Sequence, residues 1–461
     1  MNREERDVPE VPVMRVQTWR EMSPAARAQL MDRGTSAIFD PALRASIERI
    51  LLDVRDNGDE AVSRALRDFD GVDVEPDRLR VSEAEFDTAR QAVGSDLLGA
   101  IRAMIAGIRR FNDLVMTRKA KNWWQESSPG LFVGEKITPI ASAGLFCPSG
   151  KASYPSVLAQ IGTPCVVAGV TTRVVITPPV PGSRSGQVDA ATLVVADELG
   201  LRDVFRVNGP AGIAAAAFGT ESVPRCGKVV GPGSPAVAAA QIAVQGFGCS
   251  TMMLLGPSES MILADGSADP VLLAADLLNE AEHGTDSSSV LVTPDADLVA
   301  ATQRELTRQI SVLPPKRREA AEASLGTNGG CIIVHDLAEA AEVANAYGPE
   351  HMQLVCADHR PVLDRLVSAG EILIGQNTAI SAANFVIGCP ASLPTSGFSS
   401  VSSGITVEAF LKRTALASAS AAAMREMAPA VTALADHEGF PAHANAMRIR
   451  TTGWPTTGVG Q

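Results

Sequence analysis

Several large classes of protein are marked by features that this sequence lacks. No apolar run is long enough to span a bilayer, and the first twelve residues, MNREERDVPEVP, are charged without an apolar core, so no secretory signal is visible. Positive charge is scarce: 40 Lys and Arg against 52 Asp and Glu leave a net charge of -12. Phosphate binding needs clustered Lys and Arg, so the deficit argues against a nucleic-acid partner and against an anionic membrane surface. Seven cysteines occur without a single CxxC pair or zinc-ribbon spacing. They fit a reduced compartment better than a disulfide framework. GxGxxG is also missing, and with it the standard dinucleotide fingerprint. What remains is the expectation of a cytoplasmic globular protein, with 46% hydrophobic residues and a mean hydropathy of +0.10. A chain of 461 residues predicts two or three domains with ample core.

The periodicity predicts an α/β fold. From about Ala26 to Asn112 apolar residues recur at three- and four-residue spacing, which predicts helices. KNWWQESSPG then reads as a loop that the Trp123–Trp124 pair anchors. From Ile140 to about Gly256, strand-length apolar runs such as TRVVITPP and DVFRVNG alternate with Ala-rich helical stretches, the signature of parallel βαβ units. SMILAD, SSVLVT, CIIVHD, MQLV and EILIG continue the alternation in a second set. The expected architecture is two Rossmann-like parallel-sheet domains with helical N-terminal and C-terminal segments. Its boundaries are an arm over 1–25, one α/β domain over 26–143 plus 257–404, a second over 144–256, and a helical segment over 405–461 ending in an unstructured TTGWPTTGVGQ tail. Parallel sheets bind ligands at the carboxyl ends of their strands. Three glycine turns lie at such ends, PSGKASYPS (148–156), VNGPAG (207–212) and VGPGSP (230–235), where they act as plain turns or as phosphate cradles.

LLNEAEHGTDSSSVLVT (277–293) concentrates ligand-type side chains. Glu280 and His283 share one face of a helix starting near Asp269–Pro270, close enough to hold one ion. A structural zinc needs four protein ligands and a catalytic one about three, so others must come from elsewhere. Among the other histidines, His335 in CIIVHD and His359 after Ala357–Asp358 read as structural or surface residues, leaving His351 and the C-terminal pair His437 and His443. Cys147, beside Pro148–Ser149–Gly150, reads as a buried thiol rather than a nucleophile. Glu350–His351, after Gly348–Pro349, is either a surface turn or a catalytic pair; an imidazole of ordinary pKa suits proton abstraction near neutrality.

Six separated blocks, GPSESMILAD, NEAEHGTDSSSVLVT, YGPEHMQL, LPTSGFSSVSSG, FLKRT and EGFPAHANAMRIR, resemble the histidinol dehydrogenase family between about Trp124 and Arg450. The resemblance implies oxidation of a primary alcohol through the aldehyde to the carboxylate, with NAD used twice and a zinc ion holding the substrate. It implies Glu280, His283, Asn384 and His443 as metal ligands, with Glu280 and His283 also facing the substrate. His351 would take the hydroxyl proton and Glu350 would activate water. Ser156, Ser258 and Glu438 match substrate-side positions, and the C-terminal segment implies an intertwined homodimer.

The departures from the family pattern are specific. Glu280 stands where the family usually has Gln, and Asn384 where it has Asp, a reciprocal exchange that keeps one carboxylate and one amide, so a zinc site is expected. Phe146, Ala211 and Ser234 occupy NAD-contact positions that are usually Tyr, Gln and Asn, and Ala391 replaces a substrate-facing His. The chain is therefore read as a divergent paralogue acting on a small polar alcohol, such as an amino alcohol or a sulfonated diol. Authentic L-histidinol dehydrogenase and a lapsed, non-redox binding homologue are the alternatives.

Overall fold

A computed structural model describes residues 13–33, 38–149, 153–252 and 256–452. Its strands, in chain order, are β1 (Val16–Thr18), β2 (Trp123–Ser128), β3 (Leu131–Pro139), β4 (Ser142–Phe146), β5 (Thr172–Thr177), β6 (Asp203–Arg206), β7 (Val229–Val230), β8 (Glu259–Ala264), β9 (Ser288–Thr293), β10 (Gly330–Ile333), β11 (His351–Val355), β12 (Glu371–Ile374) and β13 (Leu411–Ala419). The chain forms two compact units, Met1–Leu114 with Ile140–Phe410, and Val115–Pro139 with Leu411–Gln461.

The first unit is built on two parallel sheets, in the orders β6-β5-β4-β7 and β1-β10-β9-β8-β11-β12. Their strands are short Val- and Ile-rich runs; β8 and β9 are buried along their whole length, as strands covered on both faces must be. Carboxylate caps start the crossover helices: Asp189, Asp269, Asp295 and Asp336 each accept a backbone N–H of the first turn. The strand order reverses between β4 and β7 in the four-stranded sheet and between β8 and β11 in the six-stranded one. The α/β reading of the sequence is therefore the observed architecture.

The helix Pro270–Ala281 shows how one element serves both core and site. Leu273, Leu277 and Ala281 are all but inaccessible and belong to one apolar cluster. Asp276 and Glu280, spaced by four, lie on the adjoining face, and His283 follows just past the helix end. The spacing thus separates a packing stripe from a chemical one.

Three segments differ from their sequence reading. Residues 16–18, within the expected arm, form β1 and pair with β10 in register Val16↔Cys331, and Met14 before them is fully buried. KNWWQESSPG is a strand and turn rather than a loop, because β2 pairs antiparallel with β3. There Trp124 stacks on Phe132, and Trp123 Nε1 donates to Glu135 Oε2 at 2.9 Å. LKRTALASA, expected to be helical, is β13, paired with β3 along nine residues from Leu411↔Pro139 to Ala419↔Leu131. Its Ala- and Ser-rich sequence has weak strand preference, so the partner's backbone hydrogen bonds decide its conformation. After β13 the second unit continues in two helices, Ala421–His437 and Pro441–Thr452. Thr451 and Thr452 belong to the last helix, while 453–461 of the expected unstructured tail, and the charged residues 1–12, lie outside the described residues. No helix among the described residues is long and apolar enough to cross a membrane.

Replacing Leu277 by Ala removes a fully buried side chain under the chemical face of its helix. It is expected to cost about 2–5 kcal/mol in denaturant unfolding, whereas Val312→Ala, at an 82% exposed position, should stay within about 0.5 kcal/mol. Equal costs at the two positions would contradict the packing described.

Candidate active site

Carboxylates crowd the amino ends of the central strands. Glu259 opens β8, Glu371 opens β12, and Glu350 immediately precedes His351, the first residue of β11. The parallel registers His351↔Ser260 and His351↔Glu371 bring these residues into one row. His351 Nδ1 lies 2.5 Å from Glu371 Oε1, and Nε2 lies 3.8 Å from Glu350 Oε1. The Glu259 N–H donates to Glu350 Oε2 at 3.1 Å. Glu259 is itself paired with Arg33, Nη1 to Oε2 at 2.9 Å, and its Oε1 accepts the Ser396 N–H at 2.8 Å. Arg33 stacks over the Tyr347 ring at 3.8 Å and donates to the Tyr347 carbonyl at 2.5 Å. Ser396 holds a left-handed backbone, φ 55°, and its hydroxyl donates to the Arg33 carbonyl. A non-glycine residue there is strained, and the two hydrogen bonds keep it in place.

The chemical face of the Pro270–Ala281 helix lies over this row. Asp276 accepts from Gln353 Nε2 at 2.8 Å and from the backbone of Ile380; Gln353 is two residues along β11 from His351 and so on the same side of the strand. Glu280, one turn further, is 1% exposed, and neither carboxylate oxygen has a hydrogen-bond partner among the described residues. Its charge acts on Glu350, Glu259 and His351. His283 Nδ1 lies 3.0 Å from the Asn279 carbonyl and 3.7 Å from Glu280 Oε1. Donation from Nδ1 to that carbonyl leaves the Nε2 lone pair available on a half-exposed ring.

Gln160 gathers the remaining substrate-side positions. It sits on the helix Pro155–Ala168 one turn after Ser156; its Nε2 donates to the Asn384 carbonyl at 3.5 Å and its Oε1 accepts the Ala391 N–H at 3.3 Å. Asn384 lies in the wide turn Ala383–Ile387, just after Ile380–Ala382, and Ser258 directly precedes β8. Glu438 caps the end of Ala421–His437 and His443 lies on Pro441–Thr452, both exposed in the second unit, with the His443 ring 5.1 Å from Phe440. Among the described residues no three His, Cys, Asp or Glu side chains are grouped so as to hold a metal by themselves. The expected ligand set contains an amide and a residue of the second unit. Glu280 nevertheless fits a cation: a buried carboxylate with two unpartnered oxygens is costly unless a positive charge meets it.

On the cofactor side, the expected glycine turns follow β4, β6 and β7, at the carboxyl ends of the four-stranded sheet. Gly231 has φ 140°, and a Cβ there would run into the Phe146 carbonyl, so the turn after β7 presses on the end of β4, where the strand order reverses. Phe146 and Ala211 are buried, Ser234 is exposed at the start of Pro235–Val244, and Gly150–Ala152 lie outside the described residues. Cys147 is fully buried, and burial pushes its thiol up to about 12, so it is inert as a nucleophile.

The family model described as histidinol dehydrogenase matches residues 35–451. The chain belongs to the histidinol dehydrogenase family. It is 38% identical over 430 residues to a histidinol dehydrogenase homolog of Colwellia psychrerythraea, covering 93% of this chain and 94% of that one. It is also 38% identical over 429 residues to a histidinol dehydrogenase of Synechocystis sp., covering 93% and 97%. The crystal structure of histidinol dehydrogenase from Elizabethkingia anophelis has a TM-score of 0.89 and 27% identity, covering 96% of this chain and 99% of that one.

In this histidinol dehydrogenase family member the residues singled out by sequence, Glu280, His283, Glu350 and His351, are joined by Glu259, Glu371 and Arg33, which sequence reasoning does not single out. A carboxylate at the first residue of a buried strand, in SESMILAD and in GEILIG, was the available signal; the register that joins them is not local.

Burial drives the Glu350 carboxyl well above the usual carboxylate range, reinforced by Glu280 and Glu259. Burial likewise pushes Glu259 up to about 7, against the pull of Arg33. For His351 burial alone would lower the pKa, but Glu350, the hydrogen bond to Glu371 and Glu280 outweigh it and raise the imidazole to about 10. Glu259 and His351 thus hold protons more tightly in the fold than unfolded. Their stabilisation is full below about 4.5 and 6.5, their ordinary values, and is lost as pH rises through about 7 and about 10. In chelator-treated protein the unfolding midpoint is expected to fall by about 4 °C or more between pH 6 and pH 9. Glu259→Gln should remove the part of the fall centred near pH 7. A flat profile in the unsubstituted protein would contradict this electrostatic account.

Proposed function

We propose that this chain is a zinc-dependent, NAD-linked dehydrogenase that oxidises a small polar primary alcohol through the aldehyde to the acid. The observation that carries the reading is the buried Glu350–His351 pair beside the unpartnered Glu280 carboxylate. Glu280 and His283 would hold the metal, with Asn384 and His443 as further ligands and Glu438 beside the substrate. Glu438 and His443 are exposed in the isolated chain and would act across a homodimer, available to a second copy. Bound zinc would polarise the alcohol oxygen and NAD would accept the hydride. The overall conversion consumes one alcohol, one water and two NAD cations, and yields one carboxylate, two NADH and three protons.

His351 takes the hydroxyl proton at Nε2, the ring atom that faces Glu350. Glu350 then takes a proton from the water that adds to the aldehyde, forming the hydrate from which the second hydride leaves. An unshielded carboxylate cluster holds His351 protonated at neutral pH, so a balancing positive charge at Glu280 is what lets it act as a base. On the cofactor side the glycine-lined end of β4 and β7 suits a pyrophosphate contacted by backbone N–H groups. Phe146 and Ala211 add no polar side chain, so NAD binding would rest on the backbone.

L-Histidinol itself is the second reading, favoured by the Synechocystis relative and the Elizabethkingia structure. Against it stands Ala391, whose methyl group offers no hydrogen bond to a polar substrate. A cytoplasmic location belongs to the same proposal.

The test is NAD reduction by zinc-loaded protein with L-histidinol and with a panel of amino alcohols and sulfonated diols. The paralogue reading expects turnover with a panel member at least about tenfold above L-histidinol; faster turnover of L-histidinol would establish the second reading. His351→Asn should lower kcat by about 100-fold or more while zinc content is retained. No NAD or NADP binding by calorimetry, with zinc present, would overturn the dehydrogenase reading.

A further inference from the structure

We propose that Glu371 is the positioning residue of His351: its carboxylate holds the Nδ1 proton, so that Nε2 is the atom that takes the substrate's proton. The inference rests on the dehydrogenase reading above and assigns to this chain a residue that its active-site motifs do not contain.

The geometry is specific. Glu371 Oε1 lies 2.5 Å from His351 Nδ1, both side chains are about 5–6% exposed, and the two residues are register partners at the starts of β11 and β12. A carboxylate accepts hydrogen bonds and does not donate them when ionised, so Nδ1 is the protonated nitrogen. Nε2 is then left 3.8 Å from Glu350 Oε1, beyond hydrogen-bond distance and free for a substrate hydroxyl. The other oxygen, Oε2, is buried without a partner, so the hydrogen bond to His351 is the contact that holds this carboxylate.

The backbone fixes the arrangement independently of the side chains. The Gly370 N–H donates to the Pro349 carbonyl at 2.9 Å and the Glu371 N–H to the Glu350 carbonyl at 3.1 Å. A Cβ at Gly370 would sit 2.5 Å from that Glu350 carbonyl, so glycine permits the close approach of the two strands. With register already set along β11 and β12, an ion pair is not needed to align them. The charged groups around the ring are Glu350, Glu280 and Glu371, with Glu259 and its partner Arg33 behind Glu350. Of these, Glu371 is the one hydrogen-bonded to the imidazole, and a carboxylate there both fixes the tautomer and stabilises the imidazolium as Nε2 gains its proton.

The experiment compares wild-type protein with Glu371→Gln, which keeps the shape and can still accept from Nδ1 but removes the charge. With the best alcohol found, kcat should fall by between about 10- and 100-fold with KM within about twofold. The acid limb of the pH profile should move to lower pH, because the lost carboxylate favoured the charged ring. If kcat and the limb stay within twofold of wild type while the unfolding midpoint drops, Glu371 is only a strand pin and the proposal is overturned. A readout that needs no turnover separates this from failure of the dehydrogenase reading. In proton spectra of protein labelled with 15N-histidine, a strongly downfield Nδ1–H signal should be present in wild type and absent from His351→Asn and Glu371→Leu. Absence of that signal from folded wild type would overturn the proposal even if the enzyme is active.

Discussion

The constraint on which the site depends is the burial of like charge. Glu259, Glu280, Glu350 and Glu371 all lie at most 9% exposed around the amino ends of β8, β11 and β12. The positive partners among the described residues are Arg33, on Glu259, and His351, between Glu350 and Glu371, with His283 Nδ1, 3.7 Å from Glu280 Oε1, given to the Asn279 carbonyl. If every group is ionised, four negative charges face two positive ones. Such a deficit in a low-dielectric interior is met by taking up protons or by binding a cation. The raised pKa values of Glu259, Glu350 and His351 are the first response. The oxygens of Glu280, without a hydrogen-bond partner among the described residues, are where the second would act.

The fold delivers this crowding economically. Parallel pairing places the first residues of neighbouring strands side by side, so one register brings Glu371, His351 and Ser260 together. The Pro270–Ala281 helix contributes Glu280 because its packing stripe, Leu273, Leu277 and Ala281, leaves the adjoining stripe against β11, where Asp276 clasps Gln353. Arg33 reaches the row from the N-terminal part of the chain and carries Tyr347 and Ser396 with it. In the six-stranded sheet the chemistry therefore gathers at the amino ends, whereas the glycine turns of the four-stranded sheet lie at the carboxyl ends, where open α/β sheets usually take ligands.

Local signals carried most of the architecture. Apolar runs and Ala-rich helices gave the strand–helix alternation from Ile140 to Ile374, and Asp269–Pro270 marked the start of its helix. What was illegible depended on partners far away in sequence. LKRTALASA is a strand because Leu131–Pro139 lies beside it, and residues 16–18 are a strand because β10 is there. The candidate site divides the same way: Glu280 with His283, and Glu350 with His351, are near neighbours in the chain and so legible as pairs. Glu259 and Glu371 join them through register, and Arg33 through a contact 226 residues away in sequence from Glu259.

Glu280 and Asn384 bear on the charge of the site as much as on its shape. The carboxylate at 280 adds to the buried negative row, and the amide at 384 adds no charge to its turn. A divalent cation at Glu280 would complete the cluster. Anomalous diffraction at the zinc edge, from crystals of protein supplied with stoichiometric zinc, tests it most directly. The account predicts one strong peak about 2 Å from a Glu280 carboxylate oxygen and from His283 Nε2. A peak remote from Glu280, or zinc-treated crystals with no peak there and the carboxylate still unpartnered, would contradict it.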